Sequence, residues 1–143
     1  MYPFIQAVVR YGRMAENGTT KKVTEHYLSD ALTLSLAEDR ILKEVAPYSQ
    51  GKTEIRSMKR VEFFEIFRAK GDDTADTFYK VRIKIITIDE KSCKEHISPA
   101  DILVKASSID DALSRLKKAT EKYMLDFSTA QVSETKIADV FLG

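Results

Sequence analysis

The residues of this chain best suited to act on another molecule are its cations. Arg10, Lys80, Arg82 and Lys84 fall within segments rich in strand-forming residues, and Lys59 and Arg60 sit near a strand end, as Lys21 and Lys22 sit near a turn. Alternate residues of a strand share a face, so Lys80, Arg82 and Lys84 are expected side by side. Aromatic residues are interleaved with them: Tyr2, Phe4, Tyr11, Phe63, Phe64, Phe78 and Tyr79. Cations attract phosphates and rings stack on bases, and a sheet face offering both can hold single-stranded nucleic acid. The same spacing has a plainer use, because alternating Lys and Arg keep an outer face wet and discourage edge pairing. No RNA-recognition motif accompanies the pattern. Arg10, Lys80, Arg82, Lys84, Lys59 and Arg60 are therefore the candidate nucleic-acid contacts.

Other reactive side chains lead less far. His26 and His96 each follow a glutamate, Glu25 and Glu95. A duplicated Glu-His pair could bring two imidazoles to one metal, but a zinc site needs more ligands than these. Asp72, Asp73 and Asp76 lack the ligand spacing, the internal glycine and the closing glutamate of a calcium loop, and read as a solvated linker. Cys93, between Lys91 and Lys94, could be a reactive thiolate. Without a matched base it reads as an exposed or structural thiol. The 5 glycines are scattered singly, and neither a phosphate-binding glycine loop nor a GxSxG elbow is present. No catalytic residue, metal or cofactor is expected.

The elements that must position the cations come as two similar series. With Phe4 over Phe78, Ile5, Ala7, Val9 and Tyr11 lie over Tyr79, Val81, Ile83 and Ile85, and Arg10 lies over Lys84. After a slip at the hairpin, Leu28 falls over Leu103 and Ala31 over Ala106. Ala37, Arg40, Ile41, Lys43 and Tyr48 then fall over Ala112, Arg115, Leu116, Lys118 and Tyr123, and Glu65-Ile66-Phe67 faces Asp139-Val140-Phe141. In this alignment the two histidines are displaced from one another. Shared hydrophobic spacing could produce part of this agreement, but it continues through strand, helix and tail, as an internal duplication would. The predicted fold class is α+β, with two tandem pseudo-symmetric β-β-α-β repeats forming antiparallel sheets that carry helices on one face. The first repeat spans 1–68, a linker 69–77 and the second repeat 78–143. Each would be marginal alone, so the two are expected to pack together as one compact unit.

Within the repeats, residues 79–87 alternate apolar and basic, the signature of a strand with one buried face. Asn17-Gly18 predicts a hairpin turn, since both residues tolerate positive φ, whereas Asp89-Glu90-Lys91-Ser92 has no glycine and predicts a longer loop. Second strands are expected near 20–30 and 93–106, with Pro99 interrupting or bulging the latter. Ser35-Leu36-Ala37-Glu38 fits a capping box ahead of the stripe Ala37, Ile41, Val45 and Tyr48, with Pro47 marking the end. Ser108, Asp110 and Asp111 suit the start of a second helix, whose stripe is Ala112, Leu113, Leu116, Ala119 and Tyr123, with Lys117, Lys118 and Lys122 toward its negative end. Third strands near 53–67 and 129–142 break alternation, which predicts a bulge or bend in each.

Composition sets the outer limits. At 143 residues, with 43% hydrophobic and 31% charged residues, the chain is globular rather than disordered. Its 23 basic and 22 acidic residues leave a formal charge of +1, so overall charge selects neither a polyanion nor a polycation. A single cysteine excludes an intramolecular disulfide and suits a reducing compartment. Met1-Tyr2-Pro3-Phe4 does not open a secretory signal, and no apolar run approaches the roughly 20 residues of a membrane span. A cytoplasmic protein with no membrane partner is expected.

Several runs resemble an uncharacterised domain-of-unknown-function family from Bacteroidetes and their phages, including those of the crAss type. They are Val8-Val9-Arg10-Tyr11, Glu16-Asn17-Gly18, Lys21-Lys22-Val23-Thr24-Glu25, Tyr27-Leu28, Asp30-Ala31-Leu32, Ala37-Glu38, Arg40-Ile41, Lys59-Arg60, Glu65 and Glu134-Thr135-Lys136-Ile137-Ala138-Asp139-Val140-Phe141. The likeness spans nearly the whole chain and implies a small stand-alone bacterial or phage protein, located in the host cytoplasm if phage-encoded. It implies no catalytic residues. The expected function is that of a non-enzymatic binding protein, first of all a nucleic-acid-binding accessory protein of phage or bacterial DNA metabolism. The alternative is a protein-protein interaction module, whether adaptor, inhibitor or self-associating structural protein. That alternative draws on the apolar tails Phe63-Phe64-Ile66-Phe67 and Val140-Phe141-Leu142. An enzyme would need a pocket with convergent polar groups.

Overall fold

The computed structural model describes residues 2–68, 75–124 and 126–142. In chain order the elements are β1 (Tyr2–Met14), β2 (Thr20–Ser29), α1 (Leu34–Val45), β3 (Glu54–Phe63), β4 (Glu65–Phe67), β5 (Thr77–Ile88), β6 (Glu95–Ala106), α2 (Ile109–Thr120), β7 (Phe127–Glu134) and β8 (Ile137–Phe141). A single 3-10 turn follows each helix, at Ala46–Tyr48 and Glu121–Tyr123. The fold is mixed α+β: two four-stranded sheets, ordered β3-β1-β2-β8 and β4-β6-β5-β7, and two helices. The chain divides into one unit of Phe63–Thr135 and another of Tyr2–Glu62 with Lys136–Gly143.

In the unit Phe63–Thr135 the alternation of β5 decides its faces. Tyr79, Val81 and Ile83 are buried, while Lys80, Arg82 and Lys84 are exposed. β5 pairs antiparallel with β6 from Thr77↔Ala106 to Ile88↔Glu95 with no shift, so Pro99, opposite Lys84, neither interrupts nor bulges the strand as expected. β4 reaches β6 at Ile102, Leu103 and Val104, so among the described residues β6 has no second strand partner at Pro99 and the missing N–H costs no ladder bond. Helix α2 lays Ala112 and Leu116 on Val81, Ile83, Ala100, Ile102 and Val104. Ser108 caps it by accepting from Asp111 N at 3.1 Å. Asp111 Oδ2 in turn accepts from Ser107 N at 2.9 Å and from Arg115 Nε at 2.8 Å. The acidic start read from Asp110 and Asp111 is therefore a working cap, and the predicted stripe ends before Tyr123, which is exposed.

In the other unit Ala7, Val9 and Tyr11 of β1 pack with Tyr27, Ile41 and Val45, and Ile5 packs with Ala31 and Ala37. The cap of α1 is Thr33, not Ser35. Thr33 is extended (φ −131°, ψ 158°) and its Oγ accepts from Leu36 N at 3.2 Å, whereas Ser35 already lies in the first turn. Tyr48 lies beyond the helix end and is exposed. The hairpin at Asn17-Gly18 forms, but only Gly18 takes positive φ (+83°). Ala15 N bonds Thr19 O across that loop, while Asp89 N bonds Lys94 O across the β5–β6 loop, which is one residue longer and puts Cys93 at φ +57°. Gly12 is needed for a different reason. Gln50 N donates to Gly12 O at 2.7 Å, and a Cβ there would lie 2.7 Å from Gln50 O and 2.9 Å from Thr20 Cγ2.

The predicted third strands are each split. β3 stops at Phe63 and β4 begins at Glu65, and β7 stops at Glu134 before β8 begins at Ile137. The second pieces pair parallel rather than antiparallel, β4 along β6 and β8 along β2. Parallel neighbours require a long crossover, and the crossover from β2 to β8 is the whole intervening chain. Residues 63–68 and 136–143, expected at the ends of segments 1–68 and 78–143, thus lie each in the unit built mainly from the other segment. The apolar tails lie largely in strands of these sheets: Phe63 and Val140 are buried, Phe64, Ile66, Phe67 and Phe141 half-buried, and Leu142, just past β8, exposed. Of the predicted linker, residues 69–74 lie outside the described residues; Ala75 is buried and Thr77 opens β5. No helix among the described residues is long and apolar enough to cross a membrane.

Candidate functional site

The six candidate cations divide between the units. Lys80, Arg82 and Lys84 project from one face of β5, flanked on β7 by Ser133, Gln131 and Ser128 and on β6 by Leu103, Asp101 and Pro99. Asp101 is the carboxylate in that neighbourhood; it is half-buried, and its Oδ1 is buried without a hydrogen-bond partner. Arg10, Lys59 and Arg60 belong to the other unit. Arg10 is half-buried on β1 opposite Thr24, while Lys59 and Arg60 are exposed on β3, where Arg60 Nη2 donates to Leu32 O at 3.1 Å. The interleaved rings do not accompany the cations. Phe4, Tyr11, Phe63, Phe78 and Tyr79 are all buried and Phe64 is half-buried; Tyr79 faces the core under α2, while Phe78 shares the cations' face of β5 but is only 1% exposed. Tyr2's side chain lies outside the described residues. The face is a row of cations without stacking platforms.

A second feature of the same unit went unread in the sequence. Between α2 and β7 lies a cavity of about 480 Å³, lined by Leu113, Leu116, Lys117, Thr120, Glu121, Met124, Phe127 and Thr129. Its walls are mainly apolar, and its charged residues Lys117 and Glu121 are exposed. Met124 is 93% exposed and holds a left-handed backbone (φ 50°), an arrangement that L-residues adopt at a cost. The adaptable thioether leaves an apolar side chain at the cavity mouth. The only sequence signal was Leu113, which the helical stripe assigned to the core; Phe127 lay just ahead of the strand expected near 129–142, and both are half-buried.

The unit holding β1 carries a polar pocket of about 330 Å³, lined by Arg13, Glu25, Tyr27, Glu44, Val45, Tyr48, Ala138, Asp139 and Phe141. Tyr27 OH donates to Glu25, Arg13 Nη2 lies 3.2 Å from Glu25 Oε1 and donates to Tyr11 OH at 2.6 Å, and Tyr27 stacks on Phe141 at 5.1 Å. Burial first, then the bonds to Glu25 and Tyr11, push the Tyr27 phenol far above its usual range, so it remains a hydrogen-bond donor. Arg13, Glu25, Tyr27 and Tyr11 thus satisfy one another. The remaining candidates do not converge: His26 lies opposite Val8 in one sheet and His96 opposite Thr87 in the other, with Nε2 3.9 Å from Asp89. Cys93 is exposed in its loop, Asp76 is exposed, and Asp72 and Asp73 lie outside the described residues.

These features define a mixed α+β protein with two helix-backed sheets, a cation row and an apolar cavity. The chain belongs to the family described as Domain of unknown function (DUF4494), whose profile matches residues 3–142. No curated protein and no solved structure matches the chain.

Proposed function

We propose that the chain is a protein-interaction module that binds its partner through the unit Phe63–Thr135. The carrying observation is the apolar cavity between α2 and β7, open at the surface and of a size that accepts a ligand group or side chains. A random peptide library selected against the protein, with counter-selection against Leu113→Glu, tests this. Recovery of sequences that require the open cavity supports the reading, and a selection that yields none contradicts it.

A second reading, nucleic-acid binding, draws on the exposed row Lys80, Arg82 and Lys84 among uncharged Ser128, Gln131 and Ser133. With the rings buried, binding would rest on phosphate contacts. Three such contacts to a single strand give a slope of about −2 in log K against log salt. Lys80→Glu with Lys84→Glu is expected to flatten that slope, and a polynucleotide titration with no salt-dependent signal removes the reading.

Duplication supplies the architecture in this proposal. It is supported by the two sheet orders, since β3-β1-β2-β8 reads strand for strand as β7-β5-β6-β4 under the alignment of Phe4 with Phe78. In this reading the repeats trade their last short strands. A cytoplasmic protein of Bacteroidetes or their phages remains the proposed setting.

A further inference from the structure

The sheet edges are unlike one another. β3 carries Glu54, Arg56, Lys59, Arg60 and Glu62, charges of the kind that keep an edge from pairing. β4 and β8 are short, with 3 and 5 residues. β7 is 8 residues long, contains no proline, and bears a charge only at Glu134, its last position. Ser128, Thr129, Ala130 and Gln131 are exposed.

The direction of the β7 backbone follows from its ladder. Thr135 N donates to Phe78 O and Ile86 N donates to Asp126 O, and the register between them shifts once, where Arg82 pairs Gln131 and Ile83 pairs Thr129. Antiparallel alternation then turns the N–H and C=O groups of Phe127, Thr129, Val132 and Glu134 away from β5. Phe127 and Val132 pack against the core under α2, and Phe127 and Thr129 line the cavity. Among the described residues, outward unpaired backbone and cavity wall therefore coincide at Phe127 and Thr129.

We infer that the β7 edge takes up an extended segment of a partner protein as a fifth strand, its apolar side chains entering the α2–β7 cavity and acidic side chains alternating with them. This rests on the interaction reading and names its ligand. A row of outward N–H and C=O groups is satisfied by another extended backbone and not by a helix, whose own groups are already paired. Side chains of the added strand alternate between two faces. On one face they meet Leu113, Leu116 and Phe127. On the other they follow Ser128, Gln131 and Ser133, with Lys84, Arg82 and Lys80 in the next strand, about 5 Å further across. Among the described residues none of these three cations has an ion-pair partner, so the partner's outer positions are acidic.

The probe is an end-blocked synthetic peptide, as long as β7, that alternates valine with glutamate, titrated into the full chain. Saturable binding is expected. Affinity should fall about tenfold when amides on one edge of the peptide are N-methylated, and about tenfold when lysine replaces glutamate. Thr129→Pro removes an outward donor while sparing the bonds to β5, and should weaken binding by the same factor, whereas Thr129→Val should not. Undiminished binding by peptides methylated on either edge, or by Thr129→Pro with its melting transition intact, overturns the inference. If an amphipathic helical peptide fills the cavity and the extended one does not bind, the interaction reading stands and the strand inference fails. If neither binds, both fail.

Discussion

Gly12 shows how one side chain, by its absence, sets a connection. Gln50 O occupies the place where a Cβ would stand, so Gly12→Ala forces the segment after α1 off β1. Denaturant unfolding should report a loss of about 1–3 kcal/mol, the usual cost of inserting a carbon into a filled site. Asp111 acts through charge. Its bonds to Ser107 N, opposed by some desolvation and helped by Arg115, hold its carboxyl below the usual aspartate range. A depressed carboxylate stabilises the fold above its unfolded pKa of about 3.9 and loses that contribution as pH falls through the folded value. Asp111→Asn should therefore lower stability at neutral pH and flatten its decline below about pH 4, as followed by thermal melts across pH. Ser108 and Asp111 were legible in the sequence because a cap and its acid lie three residues apart. The Arg13–Glu25–Tyr27–Tyr11 network was not, because only strand pairing brings those positions together.

At the scale of elements, the start of α1 separates what local pattern can say from what it cannot. Ser35 with Glu38 has the spacing of a capping box, yet Thr33 is the residue left extended where the chain leaves β2. Thr33→Ala should cost about 1 kcal/mol and Ser35→Ala far less, a contrast that paired thermal melts resolve. Strands β1, β2, β5 and β6 were readable because alternation and hairpin signals are local. Pro99 misled for the opposite reason: its effect depends on whether a second neighbour stands beside β6, and among the described residues none does at that position. The broken alternation of the third strands was a true signal of a break, but which sheet receives the second piece is a long-range choice that periodicity does not encode. The β7 cavity shares that origin, since Leu113 and Phe127 meet only when α2 crosses the edge strand.

For the whole molecule, connectivity makes the two units unequal. Phe63–Thr135 is continuous in the chain and holds four strands and α2, whereas the other unit is completed by β8 from the far end. Residues 63–135 produced alone should melt cooperatively. Residues 1–68 should not, because β2 then lacks Val140 and the Phe141 ring stacked on Tyr27, and a peptide of residues 136–143 should restore the transition. Circular dichroism of the three samples decides this. The interaction proposal rests on β7 being a free edge, and residue-resolved amide hydrogen exchange tests that most directly. In the free protein Thr129, Val132 and Glu134 should exchange quickly while Ser128, Gln131 and Ser133 are protected, and the fast set should slow when the alternating valine–glutamate peptide is added. Uniform protection of β7 before any peptide is present, or a fast set that the bound peptide leaves unchanged, would contradict it.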